Sequence, residues 1–425
     1  MVRLKHDRTL ILRCAIIGIL LILSACEKSG DPIALDKIEL SIIEWQTDGN
    51  GLDSQIVEII STSKYDQYNW SVECDAGWLE AFPASGSTPG SFIITADTNL
   101  TGMQRSCDLI VKIDGSYNKP KSMTVNQNPY TGLVFLKHYD MGGQYIQVFN
   151  GFAYLTDRFN FLSAYNISDP LNLFKAGHSP MSGKIYDTQI VGNFLYTAGY
   201  ILENGNSTGA IIKYELLAPN NPAMVSYFKL VYGWRLAATD NFAYLSALDG
   251  FKIVDFTDPD NPVEAYGQEF YSGTNGVAVY QDYVLLAVDE GIITYDKTDP
   301  YNPIPIDSIY IGRSVNDIFI KDNYAFLGCQ ESGLMIFNIT DVHNPQFISK
   351  YNSRTSITQL VVKNQYLYAA AMYDGVVVFD ISNPENPQFL ANQKTAYRVM
   401  DVAVAGDYVY AVDEHNGLFV YKFIK

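Results

Sequence analysis

The sequence predicts an all-β chain: a small Ig-like β-sandwich followed by a seven-bladed β-propeller closed by an N-terminal strand. Three observations predict it. The stretch Asp255-Phe256-Thr257-Asp258-Pro259-Asp260-Asn261-Pro262 returns at 296–303, 338–345 and 380–387, a period of about 41–42 residues. A period of that length built from short strands is the signature of a propeller. Seven Gly-, Asn- or Asp-rich turns are each followed by an aromatic residue, at Phe152, Phe194, Phe242, Tyr283, Tyr324, Tyr366 and Tyr408, so seven blades are expected. Ahead of them, residues 38–128 alternate apolar and polar residues in short runs, as half-buried strands do.

The chain has 425 residues, enough for two or three domains, and 48 % of them are hydrophobic, with 31 Tyr and 22 Phe to fill large cores. The formal charge is −17, and the first 25 residues are net basic (Arg3, Lys5, Arg8 and Arg13 against Asp7), so the remainder is more acidic still. Such a body repels nucleic acid and anionic lipid surfaces, which leaves neutral or basic partners or a metal ion.

Residues 1–25 read as a targeting signal. The basic start precedes Cys14-Ala15-Ile16-Ile17-Gly18-Ile19-Leu20-Leu21-Ile22-Leu23, shorter than the roughly 20 apolar residues that span a bilayer. It ends in Leu23-Ser24-Ala25-Cys26, which resembles the lipobox of bacterial lipoproteins. That resemblance implies lipidation at Cys26, a tether over 26–37, and anchorage in the cell envelope, as an outer-membrane lipoprotein on the surface or periplasmic face. The alternative is an ordinary signal peptide with a chance cysteine. Cys74 and Cys107 both fall in the first folded domain, where they either pair in an oxidising envelope or remain separate thiols. Cys329, in Ala325-Phe326-Leu327-Gly328-Cys329, reads as core.

Within 38–128 the strand signals are Ile56–Ile60, Trp70–Cys74, Phe92–Thr95, Cys107–Ile113 and Lys121–Val125, which together suit a sandwich. Trp70, Gly77-Trp78-Leu79, Pro83, Ser85-Gly86, Arg105, Gly115 and Val125-Asn126-Gln127 resemble the BACON domain of Bacteroidetes surface and secreted proteins. The resemblance implies suspected carbohydrate binding, or a spacer role. Trp70 and Trp78 are accordingly either buried sandwich tryptophans or a platform for a sugar.

Residues 129–132 form a linker, and 133–425 the propeller. Each unit has a first strand such as Val399–Val404, then a tight turn such as Asn150-Gly151 or Asp322-Asn323, whose residues tolerate positive φ. The aromatic opens the second strand, and a Gly turn leads to the third, as in Gly250–Asp255. The Asp-Pro-x-Asn-Pro turn then launches the fourth: Asp caps through its side chain, and proline fixes φ and forces its predecessor extended. The seventh unit ends after its third strand, and Leu133–Lys137 is expected to supply the fourth and remove the free edge. Phe251-Lys252-Ile253-Val254-Asp255 followed by Thr-Asp-Pro resembles the LVIVD repeat of bacterial and archaeal cell-surface proteins, most closely in units three to six. Unit one lacks the second proline, and unit two carries Ala218-Pro219 and an insertion over 200–209.

No chemical motif stands out. His6, His138, His178, His343 and His415 have no zinc-type spacing, and no nucleophile elbow, phosphate loop or calcium loop is present. No catalytic residue, metal or cofactor is therefore assigned. The position seven residues before each second-strand aromatic reads Tyr145, Asp187, Arg235, Gly276, Asp317, Gln359 and Asp401. In a propeller these form a ring at one mouth of the central channel. A purely structural ring should repeat one residue type, and this one varies. Tyr186, Trp234, Asn275, Arg313, Asn316, Tyr397 and Arg398 lie just upstream, and the turns after the second strands add Asp157, Arg158, Phe159, Asp249, Asp289, Glu290, Glu331, Tyr373, Asp374, Asp413, Glu414 and His415. Mixed aromatic, Arg and Asp side chains at a concave mouth suit a polar ligand or peptide, whereas the alternative is a water-filled channel.

The ligand-binding candidates are Tyr145, Asp187, Trp234, Arg235, Asp317, Gln359, Arg398 and Asp401. Replacing Asp317, Asp401 and Arg235 by Ala is expected to abolish binding with little change in melting temperature. Three functions compete: a monomeric, non-enzymatic module that binds a glycan or an envelope protein, an enzyme using channel-mouth carboxylates on polysaccharide, and an assembly component with no small ligand. Nucleic acid is not an expected partner.

Overall fold

The computed structural model describes residues 38–425 apart from 48, 50, 52, 62–66, 116–118, 157–161, 180–182, 204, 231–232, 271–273, 331 and 352–355. The signal, the tether and Cys26 lie outside the described residues, as do Asp157, Arg158, Phe159 and Glu331. Every described element is a strand.

Alternation in the N-terminal part resolves into two sheets. One runs in the order Ile38–Leu40, Ser54–Ser61, Gly90–Ala96, Leu79–Phe82; the other in the order Glu44–Thr47, Lys121–Gln127, Arg105–Ile113, Asn69–Glu73, Ser85–Ser87. Their inward residues share one core, with Val57, Ile59, Phe92 and Ile94 from the first sheet and Trp70, Leu109, Val111 and Val125 from the second. Glu44–Thr47 pairs parallel with Lys121–Gln127, a short strand that no sequence pattern announced. Gly86 and Gly90 press on Trp70, where a Cβ would come within 2.5 Å and 2.9 Å of the indole. The indole needs both glycines.

From Gly132 to Ile424 the described residues form seven four-stranded antiparallel sheets. Six are built from consecutive strands. In the seventh, Gly132–Tyr139 pairs with Gly417–Ile424, Gly132 opposite Ile424, so both ends of this region share one sheet. Seven apolar clusters each lie between two successive sheets, and one joins the last sheet to the first through Ala403, Tyr410 and Val412 against Ile146, Ala153 and Leu155. The first strands of consecutive sheets touch around the full circle.

Local chemistry explains the repeated turns. The first residue of the hairpin turn has positive φ at Asn150, Gly192, Gln281, Asp322, Asn364 and Gly406, between 48° and 61°. The third sheet departs, closing its turn with Thr239 and Phe242 bonded through their backbones at 2.8 Å. The Asp-Pro-x-Asn-Pro stretch is a double side-chain turn. Asp255 accepts from the Thr257 amide at 2.6 Å, Asp258 from the Asp260 amide at 3.0 Å, and Asn261 donates to Asp258 at 3.0 Å. The same bonds recur at Asp296 and Asp299. Within the first of these turns the chain is tied to the hairpin turn of its own sheet, Phe256 N–H donating to the Asn241 carbonyl at 2.6 Å and Ile339 to Asn323 at 2.8 Å.

The insertion over 200–209 is not a loop. It lengthens the hairpin of the second sheet, whose strands run Phe194–Glu203 and Asn206–Glu215 and pair out to Glu203 opposite Asn206.

Candidate functional site

A recurring irregularity builds the channel mouth. The pairing of first and second strands slips between Ile185 and Asp187, Gly233 and Arg235, Thr274 and Val277, Val315 and Asp317, and Val399 and Asp401. Each slip is a β-bulge, which re-aims side chains beside it. Tyr186, Trp234, Asn316 and Met400 occupy the extra position in four of them, and the ring residue follows directly.

The ring aspartates bridge neighbouring sheets. Asp187 accepts from the Leu236 amide at 2.8 Å, Asp317 from Leu360 at 2.7 Å, and Asp401 from Ile146 at 2.8 Å. The second oxygens of Asp187 and Asp401 accept from their own following amides, Thr188 at 2.9 Å and Val402 at 2.7 Å. In each case the acceptor reaches the amide just beyond the ring position of the next sheet. Gly276 has no side chain to reach with, and a Cβ there would lie 3.1 Å from the Asp317 Cα.

Arg235 closes the axis. Its guanidinium crosses from the third sheet to the carbonyls of Asn316, at 3.4 Å, and Thr358, at 2.8 Å, and lies 5.4 Å from the centre of the Tyr145 ring. Burial works against its charge, but Tyr145 and the three aspartates outweigh burial and raise its pKa. The carboxyls are raised as well, which for them favours the neutral form. Burial pushes Asp187 up to about 6 against the pull of Arg235, and raises Asp317 and, further, Asp401.

Above Arg235 is an open cup of about 370 Å³, whose wall includes Tyr145, Trp234, Asn275, Asn316, Gln330 and Thr358. Trp234 is 39 % exposed and stands 4.8 Å from the Tyr186 ring, so the two form an aromatic shelf at the rim. Met372, also on the wall, holds φ at 44°, a conformation rare for a side chain of its kind and fixed by the amides of Val399 and Gly375 on its carbonyl. Below the ring, a lumen of about 410 Å³ is lined by Asp187, Thr188, Asp317 and Gln359, a polar setting of the sort that holds ordered water.

The structure therefore divides the expected candidates. Tyr145, Trp234 and Arg235 meet in the cup; Asp187, Asp317 and Gln359 face the lumen beneath it. The three aspartates bear on the expectation that their loss would leave the melting temperature nearly unchanged. They already accept backbone amides between sheets, so their removal should lower the melting temperature rather than spare it. Arg398 stands apart on the rim, where it donates to Glu414 through Nε at 2.7 Å and through Nη2, and lies over Tyr397 at 5.1 Å. Asp413 is buried and caps its turn by accepting the amides of Tyr397, His415 and Asn416. Gln330, Ser356, Thr358 and Met372 were missed, because they enter from crossing loops and second-strand ends that carry no repeat. The bulge was the signal that could have found the shelf.

In the sandwich Trp70 is 4 % exposed and belongs to the core, and Trp78 lies under the Arg105 guanidinium at 4.3 Å. Neither offers a bare ring to a sugar. Cys329 is buried, whereas Cys74 and Cys107 are half-buried free thiols with sulfurs 3.3 Å apart. Burial, followed by Cys74, pushes the Cys107 thiol up to about 11. Among the described residues no group of His, Cys, Asp and Glu side chains is arranged to hold a metal ion.

A circle of four-stranded sheets around a polar axis, carried behind a β-sandwich, is a propeller built as an interaction scaffold. Residues 68–128 match the BACON family, described as "Putative binding domain, N-terminal", and residues 232–266, 312–353, 356–395 and 398–420 match the LVIVD repeat. The chain thus joins a BACON domain to an LVIVD-repeat propeller. The first, second and fourth sheets are not among the matches, although the fourth carries the same turn at Asp296–Pro303. No curated protein matches.

Solved structures share the fold. The computationally designed Ika8 protein has 13 % identity and a TM-score of 0.51 over 69 % of this chain and 100 % of its own. The Cps50 (Swd1) β-propeller domain of Myceliophteria thermophila has 11 % identity and a TM-score of 0.54 over 68 % and 99 %. A chain of the Mitotic Checkpoint Complex has 10 % identity and a TM-score of 0.54 over 69 % and 92 %. At these identities the likeness is one of fold.

Proposed function

We propose that this protein is a cell-envelope lipoprotein, anchored through Cys26, whose propeller is a non-enzymatic module that binds a glycan in the channel-mouth cup. In this reading the propeller has seven blades closed by the strand that contains Leu133–Lys137, and the Ig-like BACON sandwich lifts it from the membrane as a monomer. One observation carries the glycan: the half-exposed Trp234, backed by Tyr186, beside a cup lined with side-chain amides. An aromatic face packs on the apolar face of a sugar ring, while amides donate to and accept from its hydroxyls. The acidic charge of −17 speaks against nucleic acid.

A polysaccharide-acting enzyme is the weaker reading. Its acid and base would be the ring carboxyls, and these are engaged by backbone amides around an arginine plug. A protein partner draws support from the exposed Tyr373 and the Tyr397–His415 stack at 4.6 Å on the rim, since tyrosine is enriched at interfaces. A glycan-array screen of the full chain with Trp234→Ala tests the proposal. The variant is expected to keep its melting temperature and lose about tenfold in affinity, which is about 1.4 kcal/mol. Wild-type binding by the variant would overturn the cup as the site.

A further inference from the structure

Resting on that reading, we infer that the glycan is an uncharged oligosaccharide that runs from the cup across Gln330 into a neighbouring cleft. The cup alone is near the lower end of ligand-site volumes, about 300–1,000 Å³. Gln330 also lines a second cavity, of about 800 Å³, bounded by Phe270, Asp289, Glu290, Arg313 and Ser314. The sill between the two is polar: Asn275 of the cup donates to Ser314 of the cleft at 2.8 Å. Gln330 is exposed on that sill, and its carboxamide bonds to no other described residue. It is placed to reach a ligand unit bridging the two spaces.

Charge selects the class of sugar. At the floor of the cup Arg235 already has Asp187, Asp317 and Asp401 around it, so its charge is answered from within and is not free for an incoming carboxylate or sulfate. In the cleft Asp289 and Glu290 outnumber Arg313. A sugar hydroxyl, which donates and accepts without charge, suits both spaces; a uronate or sulfated unit does not.

Calorimetry on the full chain decides it, using neutral oligosaccharides from mono- to hexasaccharide in the linkage that the array selects, together with their uronic-acid counterparts. Affinity is expected to rise about tenfold from disaccharide to tetrasaccharide. Gln330→Ala should remove that gain, so that the tetrasaccharide binds no tighter than the disaccharide, whatever the variant costs in the cup that Gln330 also lines. Uronates should bind about tenfold more weakly than the neutral series. Affinity independent of length overturns the groove, and uronates that bind as well as neutral sugars overturn the charge argument. In both cases the cup survives as a site. Binding by no glycan removes the proposed function and this inference together.

The sandwich carries a second site, independent of the propeller. We propose that Cys74 and Cys107 close into a disulfide once the chain reaches an oxidising compartment. Their sulfurs are 3.3 Å apart, Cys107 on the strand Arg105–Ile113 and Cys74 one residue beyond its hydrogen-bonded neighbour Asn69–Glu73, and a disulfide needs them at about 2.05 Å. The two thiols give up two protons and two electrons, and a disulfide-bearing oxidant of the envelope takes up both and leaves as a dithiol. Intact mass and thiol alkylation without reductant test it on the exported protein and on the same chain retained in the cytosol. The exported form should be two hydrogens lighter, resist alkylation at both cysteines, and melt several degrees lower after reduction. Alkylation of both cysteines in the exported form overturns the proposal.

Discussion

The outer-turn aspartates and the ring aspartates accept backbone amides at similar lengths, yet they ionise in opposite directions. Asp258 and Asp299 lie at the surface, where hydrogen bonds from Asn261 and Asn302, then from backbone amides, hold their carboxyls below the usual range. Asp187, Asp317 and Asp401 sit at the axis, where burial raises them despite amide bonds and Arg235. The same bond to an amide favours the carboxylate in both places. The difference is water. Outside, the charged form keeps its hydration; at the axis it loses it, and one arginine shared among three carboxyls does not restore it. The turns therefore use Asp as a local cap, repeated because every unit needs one. The ring uses it as a bridge between sheets that is held under electrostatic tension.

The sharpest way to break this contrast is pH. A carboxyl with a folded pKa of about 6 and an unfolded one of about 3.9 binds more protons folded than unfolded between those values, so its contribution to stability falls as pH rises from about 4 to 6. For Asp187 the loss is about 3 kcal/mol, and Asp187→Asn should flatten that part of the stability–pH curve in chemical denaturation. An unchanged slope would mean that the ring carboxyl is hydrated after all. The turn carboxyls act with the opposite sign: their stabilisation is present above the usual carboxylate range and is lost as pH falls below it. Next in size, Asp317→Ala leaves the Leu360 amide without its acceptor and should cost about 2 kcal/mol, with Asp317→Asn losing less. Smaller again, Asp299→Ala should lower the melting temperature by less than the ring variant, because water replaces its bonds. Smallest is Trp234→Ala, expected within about 0.5 kcal/mol of wild type in stability, so that its effect on binding can be read without a folding defect.

The distance between bonded partners decided what was legible in the sequence. The tandem turns were readable because Asp258 bonds two and three residues on. Six of the seven hairpins were readable because positive φ belongs to single residues such as Asn364 and Gly406. The ring positions were found by counting back from the aromatics, but their role was not, since Asp187 meets an amide 49 residues on, Asp317 one 43 on, and Asp401 one 255 residues back. Nothing near Asp401 in the chain distinguishes a bridging carboxylate from one that awaits a ligand. Trp234 was singled out for its neighbour on the ring, but the bulge that exposes it depends on pairing with Phe242–Ala247 and is invisible without that register. Gln330 lies in a turn of no repeated type, so only its place between two cavities marks it.

One sheet draws its strands from both ends of the repeat region, Gly132 standing opposite Ile424. That arrangement sets a timetable for folding. The strand Gly132–Tyr139 emerges first and has no partner until Gly417–Ile424 follows. At about 5–20 residues per second, its edge waits on the order of tens of seconds. An unpaired edge is a template for wrong pairing, and this one is apolar from Leu133 to Leu136 before Lys137 and His138. The sandwich, whose last strand ends at Gln127, has all of its own strands before that wait begins. It can fold while the ring is still open.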